Sequence, residues 1–174
     1  MLKLIKRCPE YVYGYKEYCQ EAFEHNVIYF RPVNPELIDD GWFERTKEWY
    51  DKKEKGEIQG KPASIHFWAV DGSKFIGEFQ LRTGLTQEIM SGIGSVGYAV
   101  RVSEQGKGYG TGILEQGLLI ARKYGMDKVL LNINDQNTVS ACLCEKFGGK
   151  LMDKIQAYNS VEGYYTMRRY WISL

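Results

Sequence analysis

RVSEQGKGYGTG, residues 101–112, decides the fold. It places Gly106, Gly108, Gly110 and Gly112 directly before ILEQGLLIARKYG, residues 113–125, whose apolar spacing is helical. A glycine disfavours a helix by about 1 kcal/mol relative to alanine, so four at a helix entrance need a reason. The first N–H groups of a helix have no intrahelical partner, and with the helix dipole they form a site for an anion, above all a phosphate. Glycines let the backbone approach such a ligand and take positive φ where required. A turn that merely packs tightly would leave the same trace, and the cluster alone does not separate the two.

The two common nucleotide templates fail here. A P-loop carries lysine after its second glycine, followed by Ser or Thr, whereas Lys107 precedes Gly108 and no Gly-Lys-Ser/Thr follows. The dinucleotide pattern G-x-G-x-x-G ends on Thr111 if begun at Gly106 and on Ile113 if begun at Gly108.

Outward from the loop, SVGYAVRV (95–102) reads as a strand entering it, and KVLLNIN (128–134) as the strand after its helix. NTVSACLCEKFG (137–148) is a further helix, and KLMDKIQAY and YYTMRRYWI are closing strands. Upstream, SIHFWAV and KFIGEFQLR flank the turn DGS as a hairpin, and TGLTQEIMSGIG is a long connection. Two helices precede the hairpin. The first carries Tyr11, Tyr15, Tyr18 and Ala22 at helical spacing. The second carries Ile38, Trp42 and Trp49, with Asn34 as N-cap and Pro35 at its first position. The aromatic stripe reads as packing rather than a ligand cage. Residues 1–174 thus form one α/β domain with a mixed sheet and no repeat or linker.

Composition narrows the function. Twenty-three basic against 22 acidic residues, net +1, point to neither nucleic acid nor a membrane surface. No apolar run reaches the roughly 20 residues of a membrane span, and MLKLIKRCPE lacks a signal-peptide core. Cys8, Cys19, Cys142 and Cys144 form no C-x-x-C pair, and the histidines are His25 and His66 alone, so no metal site is expected. A reduced, cytoplasmic protein is the expectation.

Gln105-Gly106-Lys107-Gly108-Tyr109-Gly110 fits a third pattern, Q/R-x-x-G-x-G/A, after a strand and opening a helix. One strand later, NTVSACLCEKFGG has the form N-x-x-[AS] followed by a helix ending in Glu-Lys-x-Gly. On these motifs, from about Lys74 to Gly149, the chain resembles the GNAT superfamily of N-acetyltransferases. Its ending EKFGGKL, with Gly149 where many members carry an aromatic residue, looks like a branch of predicted acetyltransferases. The resemblance implies a mostly antiparallel central sheet with helices on both faces, and acetyl-CoA as co-substrate.

In that reading the pyrophosphate rests on backbone amides of 105–111, Val100 and Val102 pair with the pantetheine arm, and Thr111 adds a hydroxyl. Lys107 supplies charge or is merely solvated. Asn137 bonds the pantetheine, caps its own helix, or does both. Asn137, Ser140 and Cys144 share one helix face at i, i+3 and i+7. The family's usual general acid is a tyrosine at the position held here by Cys144; the thiol reads as a small hydrophobe, dispensable for chemistry. Tyr158, Tyr164 and Tyr165 are replacement acids among which the sequence does not choose.

An amine acceptor of lysine-like pKa is protonated at neutral pH, so attack on a thioester needs a base. Glu78 is the first candidate, against a solvent-facing strand residue. Glu104 reads as a solvated loop charge, and His66 is a third candidate or a structural histidine. An oxyanion would fall to a backbone N–H near Val100. The acceptor is expected to be a small molecule, amino acid or peptide carrying a primary amine, in a pocket from residues 29–50 and 83–92. Direct transfer in a ternary complex is the leading function and a non-catalytic acyl-CoA sensor the alternative; a homodimer is among the assemblies left open.

Overall fold

The computed structural model describes residues 1–27, 32–84, 86–159 and 163–174. Four antiparallel strands form one sheet: β1 (Leu2–Lys6), β2 (Ser64–Asp71), β3 (Lys74–Arg82) and β4 (Val96–Val100), in the order β1-β2-β3-β4. Three more, β5 (Lys128–Asn134), β6 (Lys150–Asn159) and β7 (Gly163–Ser173), form a second sheet in the order β5-β7-β6. The helices are α1 (Val12–Glu24), α2 (Trp42–Lys55), α3 (Tyr109–Lys123) and α4 (Thr138–Lys146). This is the α/β architecture expected, split at one seam.

That seam lies between β4 and β5, the edge strands that α3 connects. Ser95 holds one end of it: its N–H donates to the Leu130 carbonyl at 2.7 Å, and its Oγ accepts from the Leu130 N–H at 3.2 Å. Beyond Ser95, β4 pairs only with β3, and its other edge has no ladder partner among the described residues.

Two apolar cores flank the first sheet. One joins Phe79, Leu81, Ile113, Leu114, Leu131 and Ile172 beneath α3. The other, beneath α1 and α2, is aromatic: Tyr15 stacks on Trp42 and Trp68, both at 5.2 Å, with Phe75 edge-on at 5.6 Å. The stripe is packing, as read from sequence, although Trp49 lies half exposed outside it.

Three expectations change. Strand β1 has no counterpart in the sequence reading: LKLIK is short, and only pairing with β2 from Leu2↔Asp71 to Lys6↔Phe67 gives it a face. Asn34 and Pro35 do not start α2. Asn34 caps a separate 3₁₀ turn, Pro35–Leu37, accepting the Glu36 N–H at 3.0 Å, and α2 begins at Trp42 after the turn at Asp39–Gly41. The strand read to Val102 stops at Val100, because Arg101 is drawn to α1 by Glu17 at 3.0 Å and Glu21 at 2.7 Å, and Val102–Glu104 curls into a 3₁₀ turn.

Candidate active site

The four glycines divide the work at the entrance to α3. Gly106 (φ 75°) and Gly108 (φ 83°) are left-handed, a conformation that L side chains rarely adopt. A Cβ at either would meet nothing within 4 Å, so this face of the loop is bare backbone. Among the described residues the first backbone bond here runs from the Thr111 N–H to the Gly108 carbonyl at 3.1 Å; the N–H groups of 106–110 have no backbone partner. Gly112 has a different role, since a Cβ there would lie 2.7 Å from Leu2 Cδ2. It lets α3 close on β1, so one of the four glycines serves packing alone.

Side chains fix the loop from outside. Gln105 Nε2 donates to the Val100 carbonyl at 3.3 Å, and the Tyr109 hydroxyl donates to Asp71 at 3.1 Å, turning that ring toward the β2–β3 turn. Lys107 donates to the Ser103 carbonyl at 2.8 Å and pairs with Glu104 at 3.1 Å. Glu104 is not the solvated charge expected. Its side chain is 4% exposed and also pairs with Lys74 at 2.5 Å. The two lysines, Lys74 first, hold its carboxyl below the usual range; it is covered by their stems rather than set deep in the fold.

At α4, Asn137 is an N-cap: its Oδ1 accepts the Ser140 N–H at 3.0 Å. Cys144 is fully buried in the core cluster, and burial pushes its thiol up to about 12. Gly149 is required beside it, since a Cβ there would lie 2.5 Å from Cys144 Sγ. The residue missed from sequence is Tyr98 of β4. Its buried hydroxyl has no hydrogen bond of good geometry, although Ser140 and Cys144 both bear on it electrostatically and desolvation keeps it protonated. The signal was available: Tyr98 alternates with Val96 and Val100, the face turned toward α3 and α4. Tyr158, Tyr164 and Tyr165 instead lie on the β6–β7 hairpin, where the first two are exposed and face each other at 5.1 Å.

On the opposite face of the sheet stands Glu78, paired across strands with Trp68 and Ala99. It is buried, not solvent-facing. Desolvation raises its pKa to about 7 against the opposing pull of the Arg7 guanidinium, then of Tyr18, Trp68 and Lys53. The Trp68 Nε1–H has no partner in bonding geometry, so its help is electrostatic rather than a formed bond. Arg7 lies 3.5 Å from the Tyr50 ring and 5.0 Å from Trp42, and donates to Thr46 at 3.1 Å.

His66 Nε2 lies 2.8 Å from Gln80 Nε2 and 3.0 Å from Lys53 Nζ, so it is the acceptor of this network. Burial first, then Lys53, Arg82 and Arg7, drive its pKa to about 2, which removes His66 as a base at neutral pH. Of the segments expected to line the acceptor pocket, residues 29–31 and Leu85 lie outside the described residues. Among the described residues no three His, Cys, Asp or Glu side chains are grouped to hold a metal ion.

Comparison with known proteins agrees with this fold. No curated protein matches the chain by sequence. Among solved structures, RimL, a ribosomal L7/L12 alpha-N-protein acetyltransferase in complex with coenzyme A, superposes with a TM-score of 0.72 at 13% identity, covering 99% of this chain and 94% of that one. The microcin C7 self-immunity acetyltransferase MccE, in complex with acetyl-CoA and AMP, gives 0.72 at 13%, covering 99% and 92%. The spermidine/spermine N-acetyltransferase SpeG from Vibrio cholerae, in mutant forms, gives 0.67 at 16%, covering 99% and 95%. The family model described as the acetyltransferase (GNAT) domain matches residues 18–150, and the chain belongs to that family.

Proposed function

We propose that the protein is an acetyl-CoA-dependent N-acetyltransferase acting on a primary amine by direct transfer. The observation that carries this is the placement of Glu78. A buried carboxyl ionising near neutrality stands one strand from the free edge of β4, and that edge leads into the bare-backbone loop. The N–H groups of Gly106, Lys107, Gly108, Tyr109 and Gly110 hold the pyrophosphate, with Gln105 and Thr111 beside them. The pantetheine lies along β4 at Val100 and reaches Val102, Asn137 and Ser140 at the mouth of the seam.

The amine nitrogen attacks the thioester carbonyl carbon, the C–S bond breaks, and the nitrogen's proton passes to Glu78 directly or through water. A base of pKa about 7 is half ionised at neutral pH, which suits it to accept that proton and release it again. A backbone N–H near Val100 supports the oxyanion. Tyr98, protonated and next to Ser140, supplies the hydrogen bond to the departing thiolate that relatives take from the position of Cys144.

Cys144 in place of that tyrosine favours a second reading, an acyl-CoA sensor without turnover. Glu78 argues against it, since a sensor needs no carboxylate held near neutrality on the acceptor side. Calorimetry with CoA, together with thiol release across an amine library, tests both. Micromolar CoA binding with amine-dependent thiol release supports transfer; binding without release from any amine leaves the sensor; no CoA binding ends both.

A further inference from the structure

Four of the described arginines hold a carboxylate. Arg45 pairs with Asp39, Arg101 with Glu17 and Glu21, Arg168 with Asp135, and Arg169 with Asp153. Three cations on the α2 side of the first sheet do not. Among the described residues, Arg7, Lys53 and Arg82 have no carboxylate within ion-pair distance.

They are also linked to one another. Arg82 Nη2 donates to Gln80 Oε1 at 2.5 Å, and Gln80 Nε2 and Lys53 Nζ converge on His66 Nε2. The His66 ring meets Tyr50 edge-on at 4.9 Å, and Arg7 covers the same Tyr50 ring. The partners of these cations are neutral: a histidine nitrogen, an amide oxygen, the Ile93 and Gly94 carbonyls, and the Thr46 hydroxyl. Arg7, Lys53, His66 and Arg82 are each half-buried, so the group is desolvated yet still open to solvent. Carboxylates act on them only from beyond ion-pair distance, Glu78 and Asp51 on Arg7, Glu78 on Lys53 and Glu88 on Arg82, and burial, then repulsion from Arg82 and Lys61, lowers Lys53 to about 8.

We propose that the acceptor carries an oxyanion, carboxylate or phosphate, beside its amine, and that Arg7, Lys53 and Arg82 form the subsite that takes it. The inference rests on the acetyltransferase reading for the amine, while the anion subsite stands on the cations themselves. Register sets the spacing. The His66–Gln80 pair lies two residues along the same face from the Trp68–Glu78 pair, about 7 Å at the rise of an antiparallel strand. An amine at Glu78 and an anion over His66 and Gln80 are therefore a few bonds apart, the dimensions of an amino acid or a short aminoalkyl phosphate. The same positive field disfavours an ammonium group, so it helps deprotonate the amine and opposes a polyamine acceptor.

The test uses the acetyl-CoA-saturated protein and matched acceptors: amino acids against their amides, and aminoalkyl phosphates against the corresponding amino alcohols. In parallel, acetate and inorganic phosphate are titrated while the His66 ring nitrogens are followed by NMR. The expected result is a kcat/KM at least roughly tenfold higher for the anionic member of one pair, consistent with a charged hydrogen bond. The matching ion should shift the His66 signals, and K53Q and R82Q should each remove the preference with CoA affinity unchanged. Preference for the acid assigns a carboxylate, and preference for the phosphate assigns a phosphoryl group. Equal or better turnover of the uncharged members, with His66 unmoved by either ion, overturns the proposal and leaves the acetyltransferase reading intact. If no amine is acetylated, that reading falls and the ion titration alone decides the subsite; K53Q, at the half-buried last turn of α2, serves should R82Q fail to fold.

Discussion

The two sides of β4 are built from different materials. Toward α3 and α4 lies a binding surface made of backbone: left-handed glycines, unpartnered N–H groups and a free strand edge. Toward α1 and α2 lies a surface made of ionisable side chains, Glu78 among tyrosines and three cations that form no ion pair among the described residues. A backbone surface accepts one invariant ligand part wherever the chain bends correctly. A side-chain surface depends on which residues distant in sequence meet, and in the proposed reading it is where the acceptor is chosen.

The largest expected effect lies on the side-chain surface. E78Q should lower turnover by about 10²–10⁴-fold while CoA affinity stays within twofold by calorimetry. A loss below threefold would move the base role to water. On the backbone surface the corresponding variant is G110V, where a first methyl finds ordinary contacts with Val100, Leu143 and Tyr98 at 3.7–4.0 Å. The fold should persist by circular dichroism, but CoA affinity should fall at least roughly tenfold as the side chain fills the approach to the N–H groups. Unchanged affinity would break the comparison, because the loop would then be packing alone.

The pH dependence sharpens it further. The groups around Glu78 are Arg7 after β1, Tyr15, Tyr18 and Cys19 from α1, and Tyr50 and Lys53 from α2. With Glu78 near 7, kcat/KM should fall about tenfold per unit as pH drops below that value. Stability runs the other way. A carboxyl raised from 4.5 to about 7 favours the folded state fully below 4.5, and that contribution is lost as pH rises through 7. E78Q should therefore match the native protein in urea melts at pH 4 and exceed it above pH 7.5, by at most about 3 kcal/mol.

Smaller effects belong to the seam. Y98F should lower kcat roughly three- to tenfold without changing KM for acetyl-CoA, since a thiolate can leave without full protonation. C144A should keep activity within threefold; a buried thiol at about 12 is a poor proton donor at neutral pH and fills space beside Gly149. Loss of turnover in C144A with CoA affinity intact would reverse the roles of Tyr98 and Cys144.

What could be read from sequence follows the same division. The glycine loop, the helix it opens and the N-cap at Asn137 were legible because each depends on neighbours in the chain. Glu78 was legible only as a residue on a hairpin strand; its burial comes from α1 and from Trp68 of the paired strand. Glu104 was misread because Lys74, which pairs with it, comes from the start of β3. Tyr98 was overlooked because the hydroxyl's isolation depends on α4 closing over β4.

The sequence by itself determined the order strand, glycine loop, helix, strand, helix, and with it the loop proposed to hold a phosphate, because positive φ and helix-entrance N–H groups are local properties of the backbone. Only the tertiary structure decided the chemistry on the other face. It brought Arg7, Lys53, His66, Glu78 and Arg82 from four separate stretches into one desolvated layer. Charge state there is set by burial and by neighbours across space, and neither is written in the spacing of residues along the chain.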